Sequence, residues 1–355
     1  MESFLVVGCG RMGERRARTI AEHDDASLVA VADVDADKAR DLAGDFGCPW
    51  SSKAKQTIAE EAVDHVVVCI PNQLHEEITR VAAQAGSNVL CEKPLARTPE
   101  EGRRMVEAAA TNDVTLKVSS NLRYFPSVLK AKELVEEGAI GDINFVRGWI
   151  GNDGWHLAKD WFSDGERLGG GALLDNGSHL LDIYRWFIGE VVECAGYATN
   201  THHDVPMEDV ALGIFEFSGG AYGFLQSAWT EWDDYMYMEL NGSDGYIRVD
   251  NRLPDSEVIL GRTDGYQERY EFSKLPPSSY DNEMADYIDR VNQDKKPIPT
   301  GFDGLRAVQM AHGVYRATRN REFVDLWTEA DEEFIAEIDG VENTTLGTAV
   351  DGETQ

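Results

Sequence analysis

Short apolar runs alternate with amphipathic stretches along the first 120 residues. The runs are "FLVV" (4–7), "LVAVAD" (28–33), "DHVVVCI" (64–70), "NVLCEK" (88–93) and "VTLKVSS" (114–120). Between them lie "RMGERRARTIAEH", "ADKARDLAGDF", "HEEITRVAAQAG" and "TPEEGRRMVEAAATN", each with apolar residues at helical spacing. Near-continuous apolar strands separated by amphipathic helices are the pattern of a parallel sheet covered on both faces. The first part of the chain therefore reads as a doubly wound α/β domain, residues 1–122.

The pattern changes after Asn121. A helix is expected from Pro126, a favourable first helical residue, to about Glu137, followed by a strand "DINFVRGWI" (142–150). A helix around 172–188 precedes a series of strands with hairpin signals: "FSGGAYGFLQSAW", "YMYMELNGSDGYIRVD" and "EVILGRTDGYQERYEF". Two late helices are expected around 280–293 and 303–320. Strands in series with helices segregated from them predict an α+β domain with a large, mostly antiparallel, open-faced sheet over 123–335. Residues 336–355 lack apolar periodicity and read as a flexible tail.

Composition narrows the function classes. With 64 acidic and 33 basic side chains the formal net charge is −31, and only 11 of the bases are lysine. Such a charge repels itself in dilute buffer and is tolerated at high salt, so the chain reads as adapted to a saline cytoplasm. It excludes a nucleic-acid backbone as partner, because binding one takes concentrated positive charge. No apolar run is long enough to span a membrane and "MESFLVVGCGR" has no signal-peptide character, so a soluble cytoplasmic protein is expected. Five cysteines at 9, 48, 69, 91 and 194, with no CxxC pair, indicate neither a disulfide framework nor a zinc site.

The candidate chemistry starts at "VVGCGRMGERRART" (6–19), where Gly8, Gly10 and Gly13 form a GxGxxG turn between a strand and a helix. In a dinucleotide site the first glycine makes the turn, the second admits a pyrophosphate and the third lets helix and strand pack closely. Arg11 and Met12 lie inside this turn. Asp33, at the end of the second run, stands where an acid accepts hydrogen bonds from the adenosine ribose and repels a 2′-phosphate; Val34 and Asp35 supply no compensating base. NAD is therefore preferred over NADP, unless Asp33 serves only to cap the helix that follows.

"CIPNQLH" (69–75), "CEKPL" (91–95) and "GGGALLDNGSHLLDIYRW" (169–186) occur in the order and spacing of the Gfo/Idh/MocA oxidoreductases, which the chain resembles over residues 3–325. The resemblance implies a catalytic set of Lys93, Asp175 and His179. It also implies cofactor contacts from Asn72 and His75 near the nicotinamide and from Glu92 beside Lys93, and a substrate pocket built with Arg123, Trp155 and His156. Lys93 ends a strand at the carboxyl edge of the sheet, where doubly wound folds bind ligands. Asp175 and His179, four apart on a helix, share a face that Asp182 continues. An imidazole titrating near neutrality beside a carboxylate suits proton transfer from an alcohol. Such a pair also suits zinc, but no third ligand lies nearby, and "HHD" (202–204) has no partner motif, so no metal is expected.

These residues predict an NAD-dependent oxidoreductase moving a hydride between nicotinamide and a secondary alcohol or ketone of a sugar, cyclitol or nucleotide sugar. Two other readings stay open: a redox-neutral glycosidase or epimerase that retains its NAD, and an NAD-binding sensor without turnover. The resemblance further implies a homodimer or homotetramer joined through the open sheet face, with "YMYMEL" (235–240) as a candidate strand.

Overall fold

A computed structural model describes residues 1–158, 165–252, 256–273 and 278–339. Strands β1 (Glu2–Val7), β2 (Ala26–Ala32), β3 (Trp50–Ser51), β4 (His65–Val68), β5 (Asn88–Cys91) and β6 (Leu116–Val118) form one parallel sheet in the order β3-β2-β1-β4-β5-β6. Helices α1 (Arg11–Glu22), α2 (Ala36–Phe46), α3 (Ala54–Glu61), α4 (His75–Gln84) and α5 (Pro99–Thr111) connect them. Phe4, Leu5, Val6 and Val66 to Val68 are fully buried, which is why their strands lack an alternating polar side. The strand order reverses between β1 and β4, so the carboxyl ends of these two strands open the crevice in which such sheets take ligands.

The hydrophobic pattern leaves residues 50–61 unassigned, yet they form β3 and α3. Both are marginal elements: β3 has two residues, and α3 buries only Thr57 and Ile58.

The second sheet has nine strands: β7 (Ile143–Gly151), β8 (Val191–Thr199), β9 (Val210–Phe217), β10 (Tyr222–Ala228), β11 (Tyr235–Gly242), β12 (Gly245–Asp250), β13 (Ser256–Arg262), β14 (Gln267–Phe272) and β15 (Val324–Asp325). Their order is β14-β13-β12-β11-β7-β10-β9-β8-β15, and every neighbouring pair is antiparallel except β7 with β10. The remaining helices are α6 (Pro126–Glu136), the short α7 (Gly165–Leu168), α8 (Ser178–Ile188), α9 (Ser279–Asn292), α10 (Gly301–Asn320) and α11 (Glu329–Asp339). Along β9, Ala211, Phe215 and Phe217 are buried while Leu212 and Ile214 are exposed, so one face of the sheet is covered by helices and the other lies open. The exposed apolar side chains there are Tyr197, Leu212, Ile214 and Tyr222; in the "YMYMEL" strand Met236, Tyr237 and Met238 are buried instead. The expected tail begins inside α11, which runs to Asp339, and residues 340–355 lie outside the described residues. Among the described residues no helix is long and apolar enough to cross a membrane.

Helix α9 crosses back to the nucleotide-binding half, where Met284, Tyr287 and Ile288 join Phe4, Ala17 and Ile20 in one cluster. It carries Glu283, fully buried, whose carboxylate accepts from Arg16 Nη2 (2.7 Å), Lys117 Nζ (2.8 Å), Ser119 Oγ (3.0 Å) and the Ser120 amide (2.6 Å). Burial alone would raise the Glu283 carboxyl, but Lys117 and Arg16 outweigh it and hold the group at about 2. Removing one member of a buried charge group leaves the others uncompensated. Glu283→Ala is therefore expected to lower the unfolding free energy by about 3–5 kcal/mol in urea titration; a loss within about 1 kcal/mol, the size of an ordinary surface change, would contradict that role. The acidic excess has its own consequence. The unfolding midpoint should rise by several degrees between about 0.1 M and 1 M KCl, over which the Debye length falls from about 10 Å to about 3 Å. A flat midpoint would leave the saline adaptation unsupported.

Candidate active site

The glycine turn between β1 and α1 is shaped by backbone contact. Gly8 has φ +98° and a side chain there would fall on the Cys69 carbonyl; one at Gly13 would fall on the Gly8 carbonyl. Around Gly10, by contrast, there is open space, as the approach of a pyrophosphate requires. Arg11 and Met12 begin α1, with Arg11 exposed. Asp33 Oδ2 accepts from the Cys9 amide of this turn (2.7 Å) and Oδ1 from the Asp35 amide (2.8 Å). The cap of α2 is Asp35, so Asp33 does not serve as that cap. Val34 is 91% exposed, and neither it nor Asp35 is basic. These residues fit a dinucleotide whose adenosine ribose meets a carboxylate.

Lys93 follows β5 and reaches across to the second half of the chain. Its Nζ donates to Asp175 Oδ1 (2.7 Å) and to the Asp175 carbonyl (3.1 Å). Asp175 does not sit in a regular α-helix: Leu173–Gly177 form a π-helical turn that leads into α8. Single π turns occur frequently at functional sites. A second acid, Glu208, ties down the start of this turn by accepting from the Gly171 amide (2.8 Å), the Leu173 amide (3.0 Å) and Tyr315 Oη (2.7 Å). On the far side of Asp175, Oδ2 lies 3.7 Å from His156 Nε2.

His179 lies one turn on, buried and next to Lys93 and Asp175. Among the described residues no hydrogen bond joins it to Asp175, whose carboxylate goes to Lys93 instead. The expectation of an imidazole titrating near neutrality needs correction. Burial, and then the positive charge of Lys93, push His179 down to about 3, more than Asp175 restores. For Lys93, burial acts downward but Asp175 prevails and its ammonium is held above the ordinary lysine value. For Asp175, burial acts upward but Lys93 and His156 hold the carboxyl below its ordinary value. The resting site is an ammonium–carboxylate pair beside a neutral imidazole. Lys93, His179, Ser120 and Ser178 also border a cavity of about 20 Å³, room for one water.

Other predicted residues lie elsewhere than the sequence suggests. Arg123 is not presented to a pocket. It is 5% exposed, donates from Nε (2.7 Å) and Nη2 (2.6 Å) to Asp182, and stacks on Trp186. Asp182 accepts in addition from Ser120 Oγ (2.5 Å), so it braces α8 instead of extending a catalytic stripe. His75 is fully buried, with Nδ1 3.0 Å from the Pro94 carbonyl and Nε2 2.8 Å from the Ile70 carbonyl. It lies between the Ile70 loop and the loop after Lys93, its single N–H donating to one of these carbonyls, and its full burial keeps the ring from a cofactor. Asn72 is buried as well and donates to the Leu168 carbonyl (3.1 Å). Glu92 accepts from Arg16 Nε (3.0 Å) and Nη2 (2.8 Å), an inward-facing pair. Trp155 is half exposed, next to buried His156. Among the described residues no cluster of acids, histidines or cysteines could hold a metal.

Arg16, Glu208, Tyr280 and Glu283 were not singled out by the sequence. Tyr280 opens α9, lies within electrostatic range of Lys93 and gives its carbonyl to Arg16 Nη1 (3.0 Å). A signal was present: Tyr280, Glu283, Met284, Tyr287 and Ile288 share one helical face, and a carboxylate on an apolar stripe needs a buried partner.

Comparison with known proteins bears on the fold and the family. The family model described as an oxidoreductase family with an NAD-binding Rossmann fold matches residues 3–120, and that of the Gfo/Idh/MocA C-terminal domain matches 128–248. The chain is 29% identical over 333 residues to myo-inositol 2-dehydrogenase of Thermotoga maritima, covering 90% of this chain and 97% of that protein. It is 30% identical over 271 residues to 2,7-anhydro-N-acetylneuraminate hydratase of Escherichia coli, covering 74% and 71%. The fold superposes on levoglucosan dehydrogenase in complex with NADH and levoglucosan with a TM-score of 0.83 at 24% identity, covering 92% of this chain and 100% of that one. With both halves matched by models of one family, the chain belongs to the Gfo/Idh/MocA family of NAD-binding oxidoreductases.

Proposed function

We propose that the chain is an NAD-preferring dehydrogenase, or reductase in the reverse sense, acting on the CH–OH group of a sugar, cyclitol or nucleotide sugar. The observation that carries this reading is the Lys93 ammonium, fixed by Asp175 at the carboxyl edge of the sheet beside a neutral His179. Bound NAD supplies the hydride acceptor at its nicotinamide. Lys93 donates a hydrogen bond to the substrate oxygen and stabilises the charge that develops there. Neutral His179 takes the hydroxyl proton as the carbon–hydrogen bond is lost, and the resulting imidazolium, placed beside an ammonium, gives its proton up readily. Asp175 positions the ammonium and, through its carboxylate, His156. The open face of the nine-stranded sheet, with Tyr197, Leu212, Ile214 and Tyr222 exposed, is the surface on which we place a homodimer or homotetramer contact.

The Escherichia coli hydratase among the relatives favours one second reading, a redox-neutral reaction with retained NAD. Net NADH formation from a free alcohol separates the two, and a panel of sugars, inositols and nucleotide sugars followed by NADH absorbance provides that measurement. In it, His179→Ala should lower turnover by about a hundredfold to ten-thousandfold, the usual contribution of a positioned base. Lys93→Ala should be as damaging, and Asp175→Ala milder. Because His179 titrates at about 3 and Lys93 above its ordinary value, base and ammonium coexist between these limits. The oxidative kcat/KM should then be flat from about pH 5 to 9. Near-normal turnover in His179→Ala, or a limb near pH 6.5 that the variant removes, would overturn the proton-transfer scheme as stated.

Cofactor choice tests the Asp33 assignment separately. The wild type should prefer NAD, and Asp33→Ser with Val34→Arg should move the preference toward NADP by removing a repelling charge and adding a phosphate partner. Equal use of both cofactors by the wild type would show that Asp33 does not meet the ribose.

A further inference from the structure

The turn that carries Asp175 is entered through Gly169, Gly170 and Gly171, and Ala172 at its cap position provides no side-chain acceptor. Its leading amides therefore take their acceptors from elsewhere in the chain. Glu208, just before β9, supplies three of them. The Gly171 amide donates to Glu208 Oε2 (2.8 Å), the Ala172 amide to the Glu208 carbonyl (3.0 Å) and the Leu173 amide to Glu208 Oε1 (3.0 Å). One acid thus caps this helix entry from a remote part of the sequence.

The glycines admit that acid. A side chain at Gly171 would fall on the Glu208 carbonyl, and one at Gly170 would fall against Tyr315 Oη. Tyr315, on α10, donates its hydroxyl to Glu208 Oε1 (2.7 Å), while Ser227 Oγ, on β10, donates to the Ala172 carbonyl (2.7 Å). From this capped end a short path leads to the ammonium. The Gly171 carbonyl accepts from the Asp175 amide (3.0 Å), and the Asp175 carboxylate and carbonyl accept from Lys93 Nζ (2.7 and 3.1 Å). Gly171 is thus held on one side by Glu208 and on the other holds Asp175.

We propose that Glu208 is a positioning residue: by capping residues 171–173 it fixes the π turn in the form that directs the Asp175 carboxylate and carbonyl to Lys93. This rests on the dehydrogenase reading for the step it serves. Burial raises the Glu208 carboxyl, and Tyr315 with the Leu173 and Gly171 amides offsets part of the rise. Lys93 is the group that reports a displaced turn. Burial acts downward on it, and Asp175 is the main counterweight, ahead of Tyr280 and Glu92. Neutral His179 also lies beside it, and Asp182, paired with Arg123, borders the same small cavity. If Asp175 moves away, burial prevails and the ammonium gives up its proton at lower pH.

The test reads Lys93 directly. The full chain is acetylated with limiting acetic anhydride from about pH 7 to about pH 11, and labelling of Lys93 is followed by peptide mass spectrometry. In Glu208→Gln either orientation of the side-chain amide leaves the Gly171 or the Leu173 N–H facing an NH2 group. The half-labelling point of Lys93 should then fall by about one pH unit or more. Asp209→Asn is the control for general loosening, because Asp209 caps the Thr201, His202 and His203 amides of a different loop; there Lys93 should label as in the wild type. In sugar oxidation Glu208→Gln should lower kcat by about a hundredfold. Its kcat/KM should also acquire an alkaline limb inside the range where the wild type is flat. A folded Glu208→Gln in which Lys93 labels as in the wild type, or an equal shift in Asp209→Asn, would overturn the positioning role. If Glu208→Gln does not fold, Glu208→Asp decides, since it keeps the charge but withdraws it by one carbon: Lys93 must shift in the same direction, and an unmoved Lys93 overturns the role. A shifted Lys93 with no NADH formed from any sugar, inositol or nucleotide sugar would leave the positioning role standing and remove the dehydrogenase reading; NADH formation with Lys93 unmoved would do the reverse.

Discussion

The buried carboxylate of Glu283 is the interaction on which the rest of the site depends. Within the nucleotide-binding half, Arg16 and Lys117 are buried cations and Glu92 is the one buried acid paired with them, so that half alone carries an uncompensated interior charge. Burying an unpaired ion costs several kcal/mol even after relaxation. Helix α9 supplies the missing anion. The compensation also fixes geometry, because Arg16 lies in the helix opened by the glycine turn, Glu92 precedes Lys93, and Ser119 and Ser120 directly follow the strand β6. Ser120 then passes the chain of hydrogen bonds to Asp182 on α8, and Asp182 holds Arg123. The cofactor turn, the lysine and the histidine helix are thus parts of one charged framework that is neutral only when both halves are docked.

Within that framework the candidate catalytic groups are held unequally. Lys93 and Asp175 are fixed by a short ion pair, whereas His179 is fixed by its helix and by packing, with no hydrogen bond to Asp175 among the described residues. The π turn explains the difference. A continuous α-helix would set residues 175 and 179 face to face, but the wider turn directs the Asp175 carboxylate and carbonyl to Lys93. The imidazole is then left in a buried position beside a cation, and both conditions favour its neutral form.

What the sequence revealed follows from the range of the interactions concerned. Both long-strand patterns, α6, α9 and α10 were legible because their periodicity is local, and the glycine turn with Asp33 was legible because the stretch from residue 8 to residue 33 holds all its parts. The elements overlooked, β3 and α3, bury too little to leave a pattern. The residues misplaced were those whose partner is remote. Arg123 and Asp182 are 59 positions apart, and Arg16 and Glu283 are 267 apart. Residue type alone does not say whether an arginine faces a substrate or a buried acid. His75 shows the same limit: next to a cofactor motif it read as a contact, but two backbone carbonyls already occupy its ring.

The distribution of charge reconciles an acidic protein with an anionic cofactor. Arg16, Lys117, Arg123 and half-buried Lys93 are each matched inside by Glu92, Glu283, Asp182 or Asp175, so this internal framework adds nothing to the net charge of −31, most of which lies on the exterior. A pyrophosphate approaching that exterior is repelled at long range, and at high salt this repulsion is screened within a few ångströms. At close range the glycine turn needs no basic side chain. The first amides of α1 and its positive end face the open space at Gly10, and these partial charges belong to the backbone. Surface acidity can therefore drift with the solvent the protein inhabits while the means of holding the dinucleotide stays the same.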